Sequence, residues 1–211
     1  TLASHTGWAT AARECVDAAN GIPVVAFGAR YMHPNVAAEL DYASVIGGCV
    51  SCSTTQGARL AGVTPVGNMP HALVLMMGDA LSAIRSFDNH MPKEVPRFAL
   101  VGTFRDESEE ALSVSDQLKE KLRGIRLDTP IERGGITVDL VKEVRSRLDQ
   151  AGFRYVEIMV SDVFAPDKIR MFVESGAPVN IFGVGPYIAK ASSIPFTADI
   201  REIDDHPVAR R

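Results

Sequence analysis

The sequence predicts an α/β barrel, and three patterns point to it. Short apolar runs alternate with longer amphipathic stretches along the whole 211-residue chain. The short runs are apolar almost throughout, as strands buried on both faces of a parallel sheet must be. Six or more strand-then-helix units follow in series, which leaves a barrel or a doubly wound sheet; we favour the barrel.

The elements follow in order. Residues 1–20 form an amphipathic helix with no strand or cap before it. Strands are expected at 23–27, 44–47, 64–68, 97–102, 124–127, 155–160 and 179–184. Helices are expected between them, at 34–43, 54–60, 72–87, 108–121, 137–151 and 166–174. The helix at 137–151 is the clearest. Leu140, Val141, Val144 and Leu148 recur at helical spacing, with Lys142, Glu143, Arg145 and Arg147 on the other side. Asp106 and Glu107 suit the start of the helix that follows them, where acidic residues are favoured. No internal repeat or low-complexity linker interrupts the series, so residues 1–211 are expected to form one barrel domain. That is shorter than the ~250 residues typical of a barrel. The helix at 1–20 has no strand before it and the close at Val208-Ala209-Arg210-Arg211 is abrupt and basic, so an upstream domain and a C-terminal extension are expected to be missing.

Composition narrows the function. A net charge of −4, a pI near 5.7 and dispersed basic residues argue against nucleic acid or a membrane surface as partner. A phosphorylated substrate remains open, because local arginines and helix N-termini hold anions on acidic proteins too. Cys49-Val50-Ser51-Cys52 has redox or zinc half-site spacing, but no second pair follows. Cys15, Cys49 and Cys52 are therefore expected to be buried, inert thiols. No signal peptide and no apolar stretch of ~18 residues is present, so a cytoplasmic location is expected.

Barrel enzymes place their chemistry at the C-terminal ends of the strands. Those ends carry Phe27-Gly28-Ala29-Arg30-Tyr31-Met32-His33-Pro34, Gly67-Asn68-Met69-Pro70-His71, Gly102-Thr103-Phe104-Arg105-Asp106, Arg126-Leu127-Asp128-Thr129-Pro130 with Arg133, Ser161-Asp162, and Phe182-Gly183-Val184-Gly185. Each has a structural alternative. His71 could cap a helix, and His33 could bond backbone beside Pro34. Arg30 and Arg126 could pair with Asp41 or Asp128. Gly183 and Gly185 could serve only a tight turn. Taken together, glycines after the last strands offer backbone N–H groups to a phosphate. Arg126 and Asp128, two apart on one strand, lean to the same face. The combination suits a phosphorylated sugar.

These segments, with Ile46-Gly47-Gly48-Cys49, Glu94-Val95-Pro96-Arg97 and the run through Ala72-Leu73, resemble nicotinate phosphoribosyltransferase in its archaeal-like branch. The resemblance implies the irregular TIM-like α/β barrel of type II phosphoribosyltransferases, preceded by a separate domain. It implies ATP-coupled transfer of phosphoribosyl from phosphoribosyl pyrophosphate to nicotinate, giving nicotinate mononucleotide in NAD salvage. His71 falls on the family's phosphorylatable histidine. Arg30, His33, Arg126, Asp128, Thr129 and Arg133 would contact substrate, and Ser161, Gly183 and Gly185 the 5′-phosphate. Mg²⁺ would accompany the pyrophosphate, and no residue is assigned as a dedicated metal ligand. A homodimer or larger assembly is implied. The chain departs from the pattern at Val163, where a second glycine is usual, at Asp162 beside it, and at Gly102, Asn68 and Val50. The alternatives are quinolinate phosphoribosyltransferase, which decarboxylates its substrate, and a non-catalytic binding subunit of the same fold.

Overall fold

A computed structural model describes residues 2–67 and 69–208. Thr1, Asn68 and residues 209–211 lie outside it, and with them the first residue of the opening helix, the departure at Asn68 and the basic terminus. The helices are α1 (Leu2–Ala18), α2 (Pro34–Ile46), α3 (Thr55–Ala61), α4 (His71–Met77), α5 (Ala80–His90), α6 (Glu107–Leu118), α7 (Val138–Gln150), α8 (Pro166–Glu174) and α9 (Pro186–Ala189). The strands are β1 (Val24–Ala26), β2 (Ser51–Cys52), β3 (Arg97–Val101), β4 (Leu122–Leu127), β5 (Glu157–Asp162) and β6 (Ile181–Val184), with an exposed hairpin β7 (Glu202–Ile203) and β8 (His206–Pro207) at the end.

Strands β1 to β6 form one sheet in the order β2-β1-β6-β5-β4-β3, and every neighbouring pair is parallel. Read from the other edge, this is chain order with a single cyclic shift: 3-4-5-6-1-2. A doubly wound sheet reverses direction at a switch point in its middle, with order such as 2-1-3-4-5. Here the first strand pairs with the last, as curling into a barrel requires. Among the described residues the ring stays open between β2 and β3.

That opening lies where two expected strands differ from the structure. Residues 44–47 belong to the end of α2 and its cap, with Ser44 Oγ donating to Leu40 O at 2.8 Å. Their short apolar run suits a buried helix as well as a strand, because periodicity cannot separate the two over four residues. The strand comes later, as the two-residue β2. Residues 64–67 form no strand either, although Val66 N–H donates to Cys52 O at 2.9 Å and holds the segment beside β2. The expected helix at 72–87 is two helices. Gly78, at φ +85°, ends α4, and the Asp79 carboxylate caps α5 by accepting from Ser82 N–H.

The core lies between the sheet and its helices. Val141, Val144 and Leu148 of α7 are fully buried, each worth roughly 1.5–3 kcal/mol of apolar transfer. Phe164 meets Phe172 and Phe182 edge to face, with ring centroids 5.3 and 5.5 Å away. Helix α1 packs on α2, α8 and α9, with Trp8 in its buried face. Cys15, Cys49 and Cys52 are free and buried, and burial pushes each thiol up to about 12. They match the expectation of inert thiols. Among the described residues no helix is long and apolar enough to cross a membrane.

Candidate active site

Arg126 lies near the C-terminal end of β4, and its side chain is only 8% exposed. One terminal nitrogen donates to Asp128 Oδ2 and to Ser161 Oγ, each at 2.8 Å. The other donates to the Met69 carbonyl at 2.8 Å. One guanidinium thus ties the end of β4, the end of β5 and the loop before α4 together. Burial pulls its pKa down and the nearby positive charge of Arg30 adds to that, against the upward pull of Asp128. An arginine stays charged regardless.

Asp128 stands just past the strand with a quarter of its side chain exposed. Burial pushes its carboxyl up, but the His71 hydrogen bond and the Arg126 guanidinium together outweigh burial and hold it below the ordinary carboxylate range. His71 opens α4. Its Nε2 is 3.5 Å from Asp128 Oδ2, and its Nδ1 is 3.0 Å from Thr103 Oγ1 in the loop after β3. The Pro70-His71 sequence places the ring at the first helical position, and Pro70 takes the cap position without a side-chain cap bond. The imidazole, the guanidinium–carboxylate pair and the Ser161 hydroxyl therefore converge.

The loops around this cluster are braced by α6. Glu107 is buried and accepts from Thr129 Oγ1 at 2.8 Å and from Arg133 at 3.4 Å. Arg133 also donates to Gly102 O at 3.0 Å. Thr129 and Arg133 are thus close to the cluster but engaged with α6. Gly102 adopts φ +87°, and a Cβ there would lie 2.8 Å from the Glu107 side chain. A side chain at this position would be strained by the backbone and would have to displace the Glu107 side chain.

The remaining expected site residues are placed as follows. Arg30 is exposed, with its guanidinium carbon 5.3 Å from the Tyr31 ring centroid. It does not pair with buried Asp41, which accepts instead from Thr54 N–H and Ser53 Oγ. His33 caps α2, its Nδ1 accepting from Asn35 N–H at 3.2 Å. Gly183 sits opposite Ser161 in the sheet register, and a Cβ there would lie 2.5 Å from the Phe27 ring. A Cβ on Gly185 would meet Phe27 O at 2.9 Å. Close packing with Phe27 therefore accounts for both glycines. Val163 is 64% exposed and has no positive φ, so valine is unstrained at the family's glycine position. Val50 is also exposed, and donates its N–H to Val24 O.

Sequence reasoning missed Thr103 and Glu110, and gave Glu107 only a helix-start role. The available signal was spacing: Glu107 and Glu110 are three apart on a helix and share a face. It also left Arg97 unexplained. Arg97 is buried and gathers the carbonyl oxygens of Asp88, Met91, Pro92 and Val95, which fixes the turn between α5 and β3.

A family model described as quinolinate phosphoribosyl transferase, C-terminal domain, matches residues 8–199. The chain belongs to that family. The crystal structure of nicotinate-nucleotide pyrophosphorylase from Pyrococcus furiosus is 42% identical and superposes with TM-score 0.88, covering 99% of this chain and 53% of that one. Nicotinate phosphoribosyltransferase pncB2 of Mycobacterium tuberculosis is 30% identical over 89% of this chain and 40% of its own length. Human nicotinic acid phosphoribosyltransferase shares the fold, with TM-score 0.68 at 17% identity over 87% of this chain and 47% of that one. The chain thus spans about half the length of these relatives. The six-stranded parallel sheet with its helices is the C-terminal barrel domain of the quinolinate phosphoribosyl transferase family.

Proposed function

We propose that this chain carries the transfer site of a phosphoribosyltransferase in NAD biosynthesis, with phosphoribosyl pyrophosphate as donor and quinolinate as acceptor. The observation that carries the reading is the buried Arg126, joined to Asp128 and Ser161 and facing His71 across that carboxylate. It provides a fixed positive charge for an anionic ring next to a carboxylate able to accept from ribose hydroxyls. The family model and the name of the Pyrococcus furiosus relative support quinolinate over nicotinate. Two guanidinium groups close enough for one to act on the other, Arg126 and Arg30, suit an acceptor with two carboxylates. This ordering reverses the preference for nicotinate that the sequence motifs alone suggest.

In the reaction, the pyridine nitrogen forms a bond to C1′ of the ribose as the bond to pyrophosphate breaks, and the electron pair leaves with pyrophosphate. The bond from C2 to its carboxylate then breaks, carbon dioxide leaves, and C2 takes up a proton to give nicotinate mononucleotide. Positioning and electrostatics supply most of the acceleration for such a transfer. Arg126 and Arg30 hold the acceptor, Asp128 orients the ribose, and Ser161 with the Gly183 and Gly185 backbone receives the 5′-phosphate. His33, Thr129 and Arg133 complete the substrate contacts. Among the described residues no set of three His, Cys, Asp or Glu is arranged to hold a metal, so these residues fit Mg²⁺ only as an ion carried in on pyrophosphate beside Asp128. A second subunit, or the remainder of a longer chain, would cover the barrel mouth.

A second reading is ATP-coupled transfer to nicotinate with phosphorylation of His71. Its support is the partly exposed ring, held through Nδ1 by Thr103 and set against Asp128 through Nε2, and the Mycobacterium tuberculosis relative's name. The test supplies quinolinate or nicotinate with phosphoribosyl pyrophosphate, with and without labelled ATP. Carbon dioxide and pyrophosphate release from quinolinate without ATP is expected. Turnover of nicotinate alone, with acid-labile label on His71, overturns it in favour of the second reading. Substrate binding without pyrophosphate release identifies a non-catalytic subunit.

A further inference from the structure

The loop after β3 turns four consecutive backbone N–H groups toward one point. Gly102 and Thr103 donate to one Glu110 carboxylate oxygen at 2.8 and 3.3 Å. Phe104 and Arg105 donate to the other at 3.3 and 3.2 Å. Convergent peptide N–H groups of this kind form a nest that binds anions, and here the anion is a side chain of the protein. Glu110 is buried, at 4% exposure. Gly102, at φ +87°, supplies the left-handed residue that turns the N–H groups the same way. The loop reaches the cluster through Thr103 Oγ1, 3.0 Å from His71 Nδ1.

We propose that Glu110 is a positioning residue for the transfer reaction, setting the orientation of the His71 ring through the loop backbone and Thr103. The proposal rests on the reading of this cluster as the transfer site. The nest fixes the loop because charge-assisted hydrogen bonds are about twice as strong as neutral ones. Four of them converge on one buried carboxylate. Thr103 Oγ1 then fixes which face of the imidazole meets Asp128. Glu107, one turn earlier on α6, braces Thr129 and Arg133, so one helix face holds both loops that flank His71. An amide in place of Glu110 fills the same space but turns an NH₂ group toward two of the four donors.

The test compares Glu110→Gln, Glu110→Ala and Thr103→Val. Ring ¹⁵N shifts of His71 are read by NMR, and kcat and KM with the acceptor that the wild-type protein turns over. Glu110→Gln is expected to shift the His71 ring signals and to lower kcat by roughly 10- to 100-fold, the scale of a misplacement near 1 Å, with KM little changed. Thr103→Val should give the same His71 signature with the nest intact. Acetate, small enough to enter the emptied nest, should restore part of the rate of Glu110→Ala. A Glu110→Gln protein that is less stable but keeps the wild-type His71 signals would overturn the proposal, as would an unchanged signature in Thr103→Val. The NMR arm needs no substrate, so loss of the wild-type reaction with both pyridine acids would count against the proposed function alone.

Discussion

Replacing Asp128 by asparagine separates the opposing effects on this residue. Burial disfavours the carboxylate more than any single partner favours it, and only His71 and Arg126 together hold its pKa down. Asparagine has the same shape and loses the charge. Removing one partner of a buried ion pair costs ~3–5 kcal/mol, because the other charge is left uncompensated. Arg126 is such a charge, with Ser161 Oγ and Met69 O as its further acceptors among the described residues. The asparagine oxygen still accepts one hydrogen bond and a quarter of the side chain meets water, which reduces the loss to ~2–3 kcal/mol. In a domain of this size that lowers Tm by about 5–10 °C. Urea unfolding should show a lower midpoint with an unchanged slope.

The pH dependence has a definite sign. The folded Asp128 pKa lies below its ordinary 3.8, so its contribution is complete above that value and is lost as pH falls through the depressed folded pKa. The stability gap between wild type and Asp128→Asn should persist from pH 7 to pH 5 and close in stronger acid. Equal midpoints at pH 7 would mean that desolvation cancels the pair, and a gap undiminished in strong acid would mean that charge is not its source. Either result refutes the argument.

Three further outcomes follow from packing and burial. Gly183→Ala should lose ~1–3 kcal/mol by overpacking, since its Cβ would lie 2.5 Å from the Phe27 ring; recovery in the Gly183→Ala, Phe27→Leu double variant checks the cause by chemical denaturation. Thiols held near 12 should react with a disulfide reagent at pH 8 roughly a thousandfold more slowly than free cysteine, and all three should react at ordinary rates in denaturant. Arg97→Met should cost ~2–4 kcal/mol, measured by thermal melting, because it removes the guanidinium from the Asp88 carboxylate and from four backbone carbonyls, of which Pro92 O keeps the Val95 N–H.

Legibility in the sequence followed the range of the interaction. Helix α7 was legible because its apolar spacing and its Thr137 cap are local. Strands β4 and β5 were legible through their buried apolar stretches, Ile125 and Leu127 in one and Ile158, Met159 and Val160 in the other, although each strand carries charged residues as well. The β2 region was not, since Ser51–Cys52 is too short for any pattern and the short run at 44–47 offered a better decoy. In the site, the Arg126–Asp128 pair was visible as a two-residue spacing on one strand. Glu110 was hidden among Asp106, Glu107 and Glu109, because a run of acids at a helix start has a sufficient local explanation. What distinguishes Glu110 is a set of partners five to eight residues earlier that only the turn at Gly102 brings to it.

The same distinction explains how an acidic chain, with net charge −4, can present a site that accepts anions. Two of the carboxylates nearest the cluster, Glu107 and Glu110, are turned inward and spent on Thr129, Arg133 and loop N–H groups. Asp128 is matched by Arg126 at 2.8 Å. That leaves the charge of Arg30, which makes no ion pair among the described residues and lies close enough to depress the pKa of Arg126. Two guanidinium groups near each other repel, and an anion between them relieves that repulsion. The field at this end of the strands is therefore set by local pairing, and the anionic substrate proposed above would gain from Arg30 and Arg126 what the overall charge would deny it.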